Sequence, residues 1–187
     1  MLENTVEYKR FVWELNNVIE LKNNSETTII FLCIGTNRIV GDAFGPVVGS
    51  VLKKNLSANN NIQIVGDLKE CVTYNNINKT VDLLTDDYQA NLVIVLDSAL
   101  SCKKNIGKVF IQNRGLKYAE SLKKNNAIIG NISIKAIVGE NFYNPVKNFN
   151  NLKNVSLNRI YKMCNLVSNG IIEVMNKKAN YGKNIYK

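Results

Sequence analysis

The chain has 187 residues, 45% of them hydrophobic and 21% charged, which fits one globular domain over residues 1–187. It contains no histidine, so Ser-His-Asp triads, Cys-His pairs and histidine-bound zinc are excluded. Acid–base chemistry near neutral pH must then come from carboxylates, lysines, tyrosines or cysteines. The net charge is +9, but no basic–aromatic stripe or nucleic-acid motif accompanies it, so we do not expect nucleic acid as a partner. No apolar run reaches the roughly 18 residues of a membrane span, so we do not expect a membrane either.

The predicted elements alternate between helices and strands. Residues 5–23 carry apolar side chains at helical spacing and predict an N-terminal helix that packs on the sheet. Continuous apolar or β-branched runs at 27–34 and 91–96 predict two strands buried on both faces. The other predicted elements are a helix over 47–56, a strand over 62–65, a helix over 76–87, strands over 108–112 and 132–138, a helix over 155–177 and a flexible basic tail over 178–187.

This alternation predicts an α/β protein, a three-layer α/β/α sandwich with a mainly parallel central sheet. In such sheets ligands bind beyond the carboxyl ends of the strands, where the strand order reverses. The chain begins with acidic residues where a secretory signal would be basic, so we expect a cytoplasmic location. Helices on both faces of a sheet are compatible with a monomer and with a homodimer alike.

Two aspartates follow predicted buried strands. Asp42 lies in a Gly-Asp-Ala-Phe-Gly-Pro turn before a helix, and Asp97 ends the strand at 91–96. Taken singly, each could be a helix cap or a turn residue. Loops after neighbouring parallel strands can bring both carboxylates into one cleft, where repulsion holds one protonated and leaves the other ionised. The sequence therefore predicts a catalytic pair, one group activating water and the other protonating the leaving amine.

No cofactor is predicted, but a divalent metal bridging the two aspartates is the competing mechanism. Without histidine, a hard ion bound by oxygen is favoured over zinc or nickel. Four residues near the aspartates are predicted to bind substrate. They are Thr36, Asn37, Arg38 and Ser98. Arg38 could hold a substrate carboxylate or an oxyanion, although a plain surface role is the commoner one for arginine.

The motif around the first aspartate resembles that of the YyaC-type sporulation proteins, which are described as spore proteases. Residues 33–49, CIGTNRIVGDAFGPVVG, resemble the family pattern CIGTDRxxGDxxGPxxG, so Asp42 matches the motif aspartate. Residues 93–99, VIVLDSA, resemble the family's apolar strand ending in Asp-Ala or Asp-Ser, and residues 129–138, IGNISIKAIV, are similar to its VGDISITGIVN stretch. The similarity touches most of residues 28–172 and is strongest in the first motif.

The resemblance implies a fold like that of the hydrogenase maturation proteases (phosphorylase/hydrolase-like), because YyaC-type proteins are similar to these and to the germination protease. In those relatives the acids that match Asp42 and Asp97 belong to the active or metal site. The chain departs from the pattern in three places: Asn37 replaces an aspartate, Thr73 stands where many YyaC-type sequences carry histidine, and RGLKYAESLKKNN replaces the Gly/Pro-rich loop expected after the strand at 108–112. The histidine metal ligand of the maturation proteases has no counterpart here.

The resemblance therefore predicts a sporulation-associated peptidase that uses the aspartate pair to hydrolyse peptide bonds of a spore or developmental protein. Its partner would be a protein or peptide substrate, and its place the cytoplasm or the developing spore. Two other functions remain open. One is a non-catalytic sporulation protein that binds through its basic surface, and the other is a metal-dependent hydrolase of another substrate class, such as an amidase.

Overall fold

The structure is a computed structural model that describes residues 5–22, 27–85, 91–117 and 128–184. Within these ranges the helices are α1 (Val6–Glu20), α2 (Phe44–Leu56), α3 (Ile77–Thr85), α4 (Pro145–Lys153) and α5 (Leu157–Asn184). The strands are β1 (Ile29–Cys33), β2 (Ile62–Val65), β3 (Leu92–Ser101), β4 (Val109–Gln112), β5 (Leu116–Lys117), β6 (Ile128–Ile129) and β7 (Ile132–Glu140). Among the described helices, none has a segment long and apolar enough to cross a membrane.

Five of these strands form one sheet in the order β2-β1-β3-β7-β4. The first four are parallel, whereas β4 at the edge runs antiparallel to β7. The prediction of a mainly parallel sheet is confirmed. Because the chain passes from β1 to β2 on one side and then returns to β3 on the other, the strand order reverses between β1 and β3. Ligands of doubly wound sheets bind at such a point.

Each face of the sheet carries its own apolar core. On one face α1, α2 and α5 cover buried side chains such as Phe31, Ile94 and Ile134. The other face, which includes Ile30 and Val93, is covered by α3 and by the small antiparallel sheet of β5 and β6. The alternation of side chains along each strand separates the two cores. The predicted sandwich is therefore present, with one of its outer layers built partly from strands.

Helix α1 contacts α5 closely. Its buried residues are Tyr8, Phe11, Leu15 and Ile19. The Tyr8 hydroxyl donates to the Glu173 carboxylate of α5 at 2.8 Å. The Phe11 ring lies over Gly170, where an added Cβ would come within 2.5 Å of a ring carbon. The helix predicted at the N-terminus is thus fixed to the core chiefly through another helix.

The predicted C-terminal tail is helical where the structure describes it. Helix α5 continues to Asn184, so residues 178–184 do not form the expected frayed segment. No proline interrupts the stretch, although it contains Gly182 and two asparagines, which are weak helix formers. Adding residues to an existing helix is also far easier than starting one. Residues 185–187 of the predicted tail lie outside the described residues.

Candidate active site

The first aspartate is positioned by the backbone of the loop between β1 and α2. Asp42 ends a single turn of 3-10 helix, Val40–Asp42, and its carbonyl oxygen accepts the Thr36 N–H at 3.0 Å. Gly35 has a φ of 142°, and a Cβ at this position would overlap the Asp42 carbonyl oxygen. The N-cap of α2 is Ala43, which makes no side-chain capping bond. The capping interpretation of Asp42 is therefore wrong, and its carboxylate is available for other contacts.

The second aspartate lies inside a strand rather than at its end. Strand β3 pairs with β1 as far as Leu96 and then continues to Ser101 alongside β7. The prediction that this strand ends at residue 96 is wrong, because the ladder to β7 extends beyond β1. Asp97 is the first residue past the end of β1. It therefore lies at the carboxyl edge of the sheet, at the switch point between the two strands.

The two aspartates lie close enough for the charge of Asp42 to act on Asp97. The Ser98 hydroxyl, next to Asp97 in the chain, donates to Asp42 Oδ1 at 3.2 Å. Burial raises the pKa of Asp42, and hydrogen bonds from Ser98 and from the Thr36 backbone oppose that shift. Burial, followed by the negative charge of Asp42, raises the pKa of Asp97 to about 7, although Lys135 lowers it in part. Near neutral pH, this pair therefore holds a proton that isolated carboxyl groups would have lost.

A third buried aspartate behaves differently. Asp67 forms an ion pair with Lys53, with 2.6 Å between Nζ and Oδ2. Its other oxygen accepts the backbone N–H groups of Lys69 and Glu70, both at 2.7 Å. The Lys53 contact and these bonds hold the pKa of Asp67 below its ordinary value, as expected of a carboxylate that stabilises the fold. The two site aspartates shift in the opposite direction, which is typical of groups that exchange protons.

The predicted substrate-binding residues have different surroundings. Ser98 contacts the first aspartate, and Thr36 lies in the loop that holds it, with Thr36 Oγ1 accepting the Arg38 N–H at 3.3 Å. Asn37 Nδ2 donates to the Leu68 carbonyl at 2.9 Å, so its amide links this loop to the one after β2. Arg38 is exposed. The structure thus brings Ser98 and Thr36 to the aspartates, while the roles of all four residues in binding substrate remain predictions.

Lys135 is a site residue that the sequence analysis missed. It lies on β7 directly opposite Asp97, and paired residues of parallel strands project from the same face, about 4.8 Å apart. The signal was present in the sequence, because this lysine interrupts the otherwise uncharged run ISIKAIV. Lys135 is half-buried, and Asp97 on the neighbouring strand is the carboxyl group that its charge acts on.

The donor set does not fit a tightly held metal ion. Tight transition-metal sites use three or more protein ligands. Across the described residues there is no group of three or more histidine, cysteine, aspartate or glutamate side chains that could hold an ion. Thr73, at the position where many YyaC-type sequences carry histidine, follows Val72, whose carbonyl accepts the Gly35 N–H at 2.8 Å. A histidine there would stand near this sheet edge, and threonine supplies no such ligand.

The fold is that of the hydrogenase maturation proteases. The chain resembles the crystal structure of a [NiFe] hydrogenase maturation protease, HycI from Thermococcus kodakarensis KOD1, with a TM-score of 0.56 and 16% sequence identity. The match covers 87% of this chain and 99% of the other. The fold that the motif resemblance implied is therefore confirmed.

Sequence similarity defines the family. The chain belongs to the family described as "Protein of unknown function (DUF1256)", which matches residues 2–170. It is 26% identical over 151 residues to the uncharacterized protein YyaC of Bacillus subtilis (strain 168), a match covering 81% of this chain and 71% of YyaC. The chain is thus a YyaC-type protein, as its first motif indicated.

Proposed function

We propose that the protein is a peptidase that hydrolyses a peptide bond with Asp42 and Asp97. The observation that carries this proposal is the coupled pair, in which burial and the charge of Asp42 raise the pKa of Asp97 to about 7. A group whose pKa lies near the working pH can both take up and release a proton, as general acid–base catalysis requires. The fold shared with a maturation protease is in keeping with this reaction.

In the proposed reaction the pair begins with one shared proton. The ionised carboxylate takes a proton from a water molecule, whose oxygen adds to the carbonyl carbon of the peptide bond. The protonated carboxyl group gives its proton to the amide nitrogen, the C–N bond breaks, and a carboxylic acid and an amine leave. One carboxyl group has gained a proton and the other has lost one, so the pair ends with the same proton count. Because the two groups titrate together, we assign neither role to one residue alone.

The shape of the sheet edge supports an extended peptide as substrate. Beyond Leu96, β3 continues to Ser101 with β7 as its only partner strand among the described residues. Backbone groups on the open side of a strand can pair with an added peptide strand. A peptide strand added there would pass close to Asp97, the first residue of β3 beyond its pairing with β1. Arg38, exposed in the loop after β1, is the candidate for holding a substrate carboxylate or the oxyanion.

The biological role is proposed from the family resemblance. The YyaC-type motif over residues 33–49 supports a spore or developmental protein as the substrate. It likewise supports a place of action in the cytoplasm or the developing spore. The substrate is therefore to be sought first among proteins that are shortened during sporulation.

The proposal is tested with a proteome-derived peptide library and mass spectrometry. The native protein should produce new peptide termini at a consistent sequence, and Asp42→Asn and Asp97→Asn should each reduce their yield at least roughly 100-fold, since removal of a general acid or base costs about that much. The matched control is Glu70→Gln, which changes an exposed carboxylate in the same way. Cleavage that persists in both aspartate variants would reject the mechanism.

A further inference from the structure

A positively charged residue, Lys135, lies beside the aspartate pair. Lys135 is the register partner of Asp97 on the neighbouring parallel strand and projects from the same face. On the far side of Lys135, β4 contributes Phe110, which carries no charge. The charged groups that act on Asp97 among the described residues are Asp42 and Lys135. The ammonium group of Lys135 is therefore the opposite charge of a partly buried site with two carboxyl groups.

We propose that Lys135 is the resident counter-charge of the aspartate pair, in the role that a bound metal ion would otherwise have, and that the site works without metal. When one of the two carboxyl groups is protonated, the pair carries one negative charge, and the ammonium group balances it. A divalent ion would require both carboxylates to ionise and would then lie beside a fixed positive charge, which repels it. Among the described residues, no third histidine, cysteine, aspartate or glutamate joins the two aspartates to offset that repulsion.

For catalysis this makes Lys135 a positioning residue that acts through Asp97. Burial and the charge of Asp42 both disfavour ionisation of Asp97, and the lysine charge opposes them. The lysine charge therefore keeps the pKa of Asp97 lower than burial and the charge of Asp42 alone would set it. This catalytic consequence rests on the proposed peptidase function, whereas the charge arrangement and the exclusion of metal do not.

The first test measures the titration of Asp97 by carboxyl-carbon NMR, with Asp97→Asn used for assignment. Lys135→Gln should raise the pKa of Asp97 by about one unit or more, as expected for a charge lost at close range. Lys135→Arg, which keeps the charge, should leave it nearly unchanged. The control is Lys54→Gln, which removes the same charge from an exposed lysine near the C-terminal end of α2. A shift in Lys135→Gln no larger than that in Lys54→Gln would overturn the assignment.

The second test uses the native protein and needs no variant that must fold. Isothermal titration calorimetry with Mn²⁺ and with Zn²⁺ at neutral pH should detect no binding tighter than roughly millimolar, the weak range of sites with few ligands. Saturable binding of either ion that Asp97→Asn abolishes would overturn the metal-free site. Neither test uses peptide cleavage, so their outcome is separate from that of the proposed peptidase function. If a peptidase activity is found, it should persist in EDTA, and its pH profile should move upward in Lys135→Gln but not in Lys135→Arg.

Discussion

Asp97 is a partly buried carboxyl group whose ionisation opposes folding. Its pKa is about 7 in the folded protein and close to 4 in an unfolded chain. Between these two values the folded state keeps the proton and the unfolded state has lost it. The free energy of unfolding therefore decreases as the pH rises from about 4 to about 7, by at most about 1.4 kcal/mol per pH unit, and the loss is complete above pH 7.

Replacing this carboxyl group should make the protein more stable at neutral and alkaline pH. Asp97→Asn removes the ionisation, so we expect its free energy of unfolding at pH 8 to exceed that of the native protein by about 1–3 kcal/mol. At pH 4 the two proteins should be nearly equal, because Asp97 is then protonated in the fold. Urea denaturation at pH 4, 6 and 8 measures the difference.

Glu70→Gln serves as the control for that series, since Glu70 is exposed. Its stability should follow that of the native protein at every pH. A difference between Asp97→Asn and the native protein that stays constant with pH, or that favours the native protein at pH 8, would contradict the raised pKa of Asp97.

The close packing of the loop that holds Asp42 can be tested by comparing Gly35 with Gly107. Both have positive φ, 142° and 88°, but a Cβ at Gly35 would overlap the Asp42 carbonyl oxygen, whereas a Cβ at Gly107 meets nothing within 4 Å. We therefore expect Gly107→Ala to cost about 1–2 kcal/mol for the backbone conformation alone. Gly35→Ala should cost at least about 2 kcal/mol more, because the backbone at residue 35 must move away from the Asp42 carbonyl. Chemical denaturation of both variants measures this, and equal costs would contradict the close packing.

The buried face of helix α1 can be tested in the same way. Leu15 is fully buried, whereas Trp13 on the same helix is 66% exposed. Leu15→Ala should lower the free energy of unfolding by about 2–5 kcal/mol. Trp13→Ala should change it by no more than about 0.5 kcal/mol. Thermal and urea unfolding compare the two, and a similar loss in both variants would mean that α1 packs on another face.

The elements that the sequence predicted are those with strong apolar patterns. Continuous apolar runs located β1 and the first half of β3, and helical spacing located α1 and most of α5. Helix α4 was not predicted: it is short, it buries none of its residues fully, and its apolar residues Val146, Phe149 and Leu152 are separated by asparagine and lysine. The second half of β3, DSALS, carries polar and small residues that suggest a turn, and only its pairing with β7 makes it a strand.

The site was predictable in part for the same reason. A strand followed by an aspartate, and a Gly-Asp turn before a helix, are local patterns, so Asp42 and Asp97 could be selected from the sequence. The sequence could not show that Lys135 faces Asp97, because this depends on the register between β3 and β7. In the chain these two strands are separated by β4 and two short strands. Likewise, nothing in the sequence indicated that the Asn37 amide would bind the Leu68 carbonyl.

For the whole molecule, the net charge of +9 permits a different function from catalysis. A non-catalytic protein that binds DNA through its basic surface would show affinity that decreases steeply with salt and that does not depend on Asp42 or Asp97. We expect instead that binding to a 30-base-pair duplex, measured by fluorescence anisotropy, is weaker than roughly 10 μM at 150 mM salt. Tighter, salt-sensitive binding that is equal in Asp97→Asn would favour the binding protein over the peptidase.

Whether the protein is a monomer or a homodimer is a separate property of the whole molecule. Sedimentation velocity at several concentrations would distinguish one copy from two. The same measurement on Trp13→Ala and Tyr143→Ala is informative, because these aromatic side chains are 66% and 93% exposed. If two copies associate through either surface, the corresponding variant should sediment as a single copy.

The opposed charges of Asp97 and Lys135 also bear on how the strands align as the protein folds. A slip of β7 by one residue would turn Lys135 into the layer filled by Ile134 and Ala136, and would leave Asp97 facing an apolar side chain. Either error buries an unpaired charge, one of the most costly faults that a sheet can contain. The two residues therefore act as an alignment mark between neighbouring strands, and correct assembly alone would be enough to retain them in a descendant that had lost its chemistry.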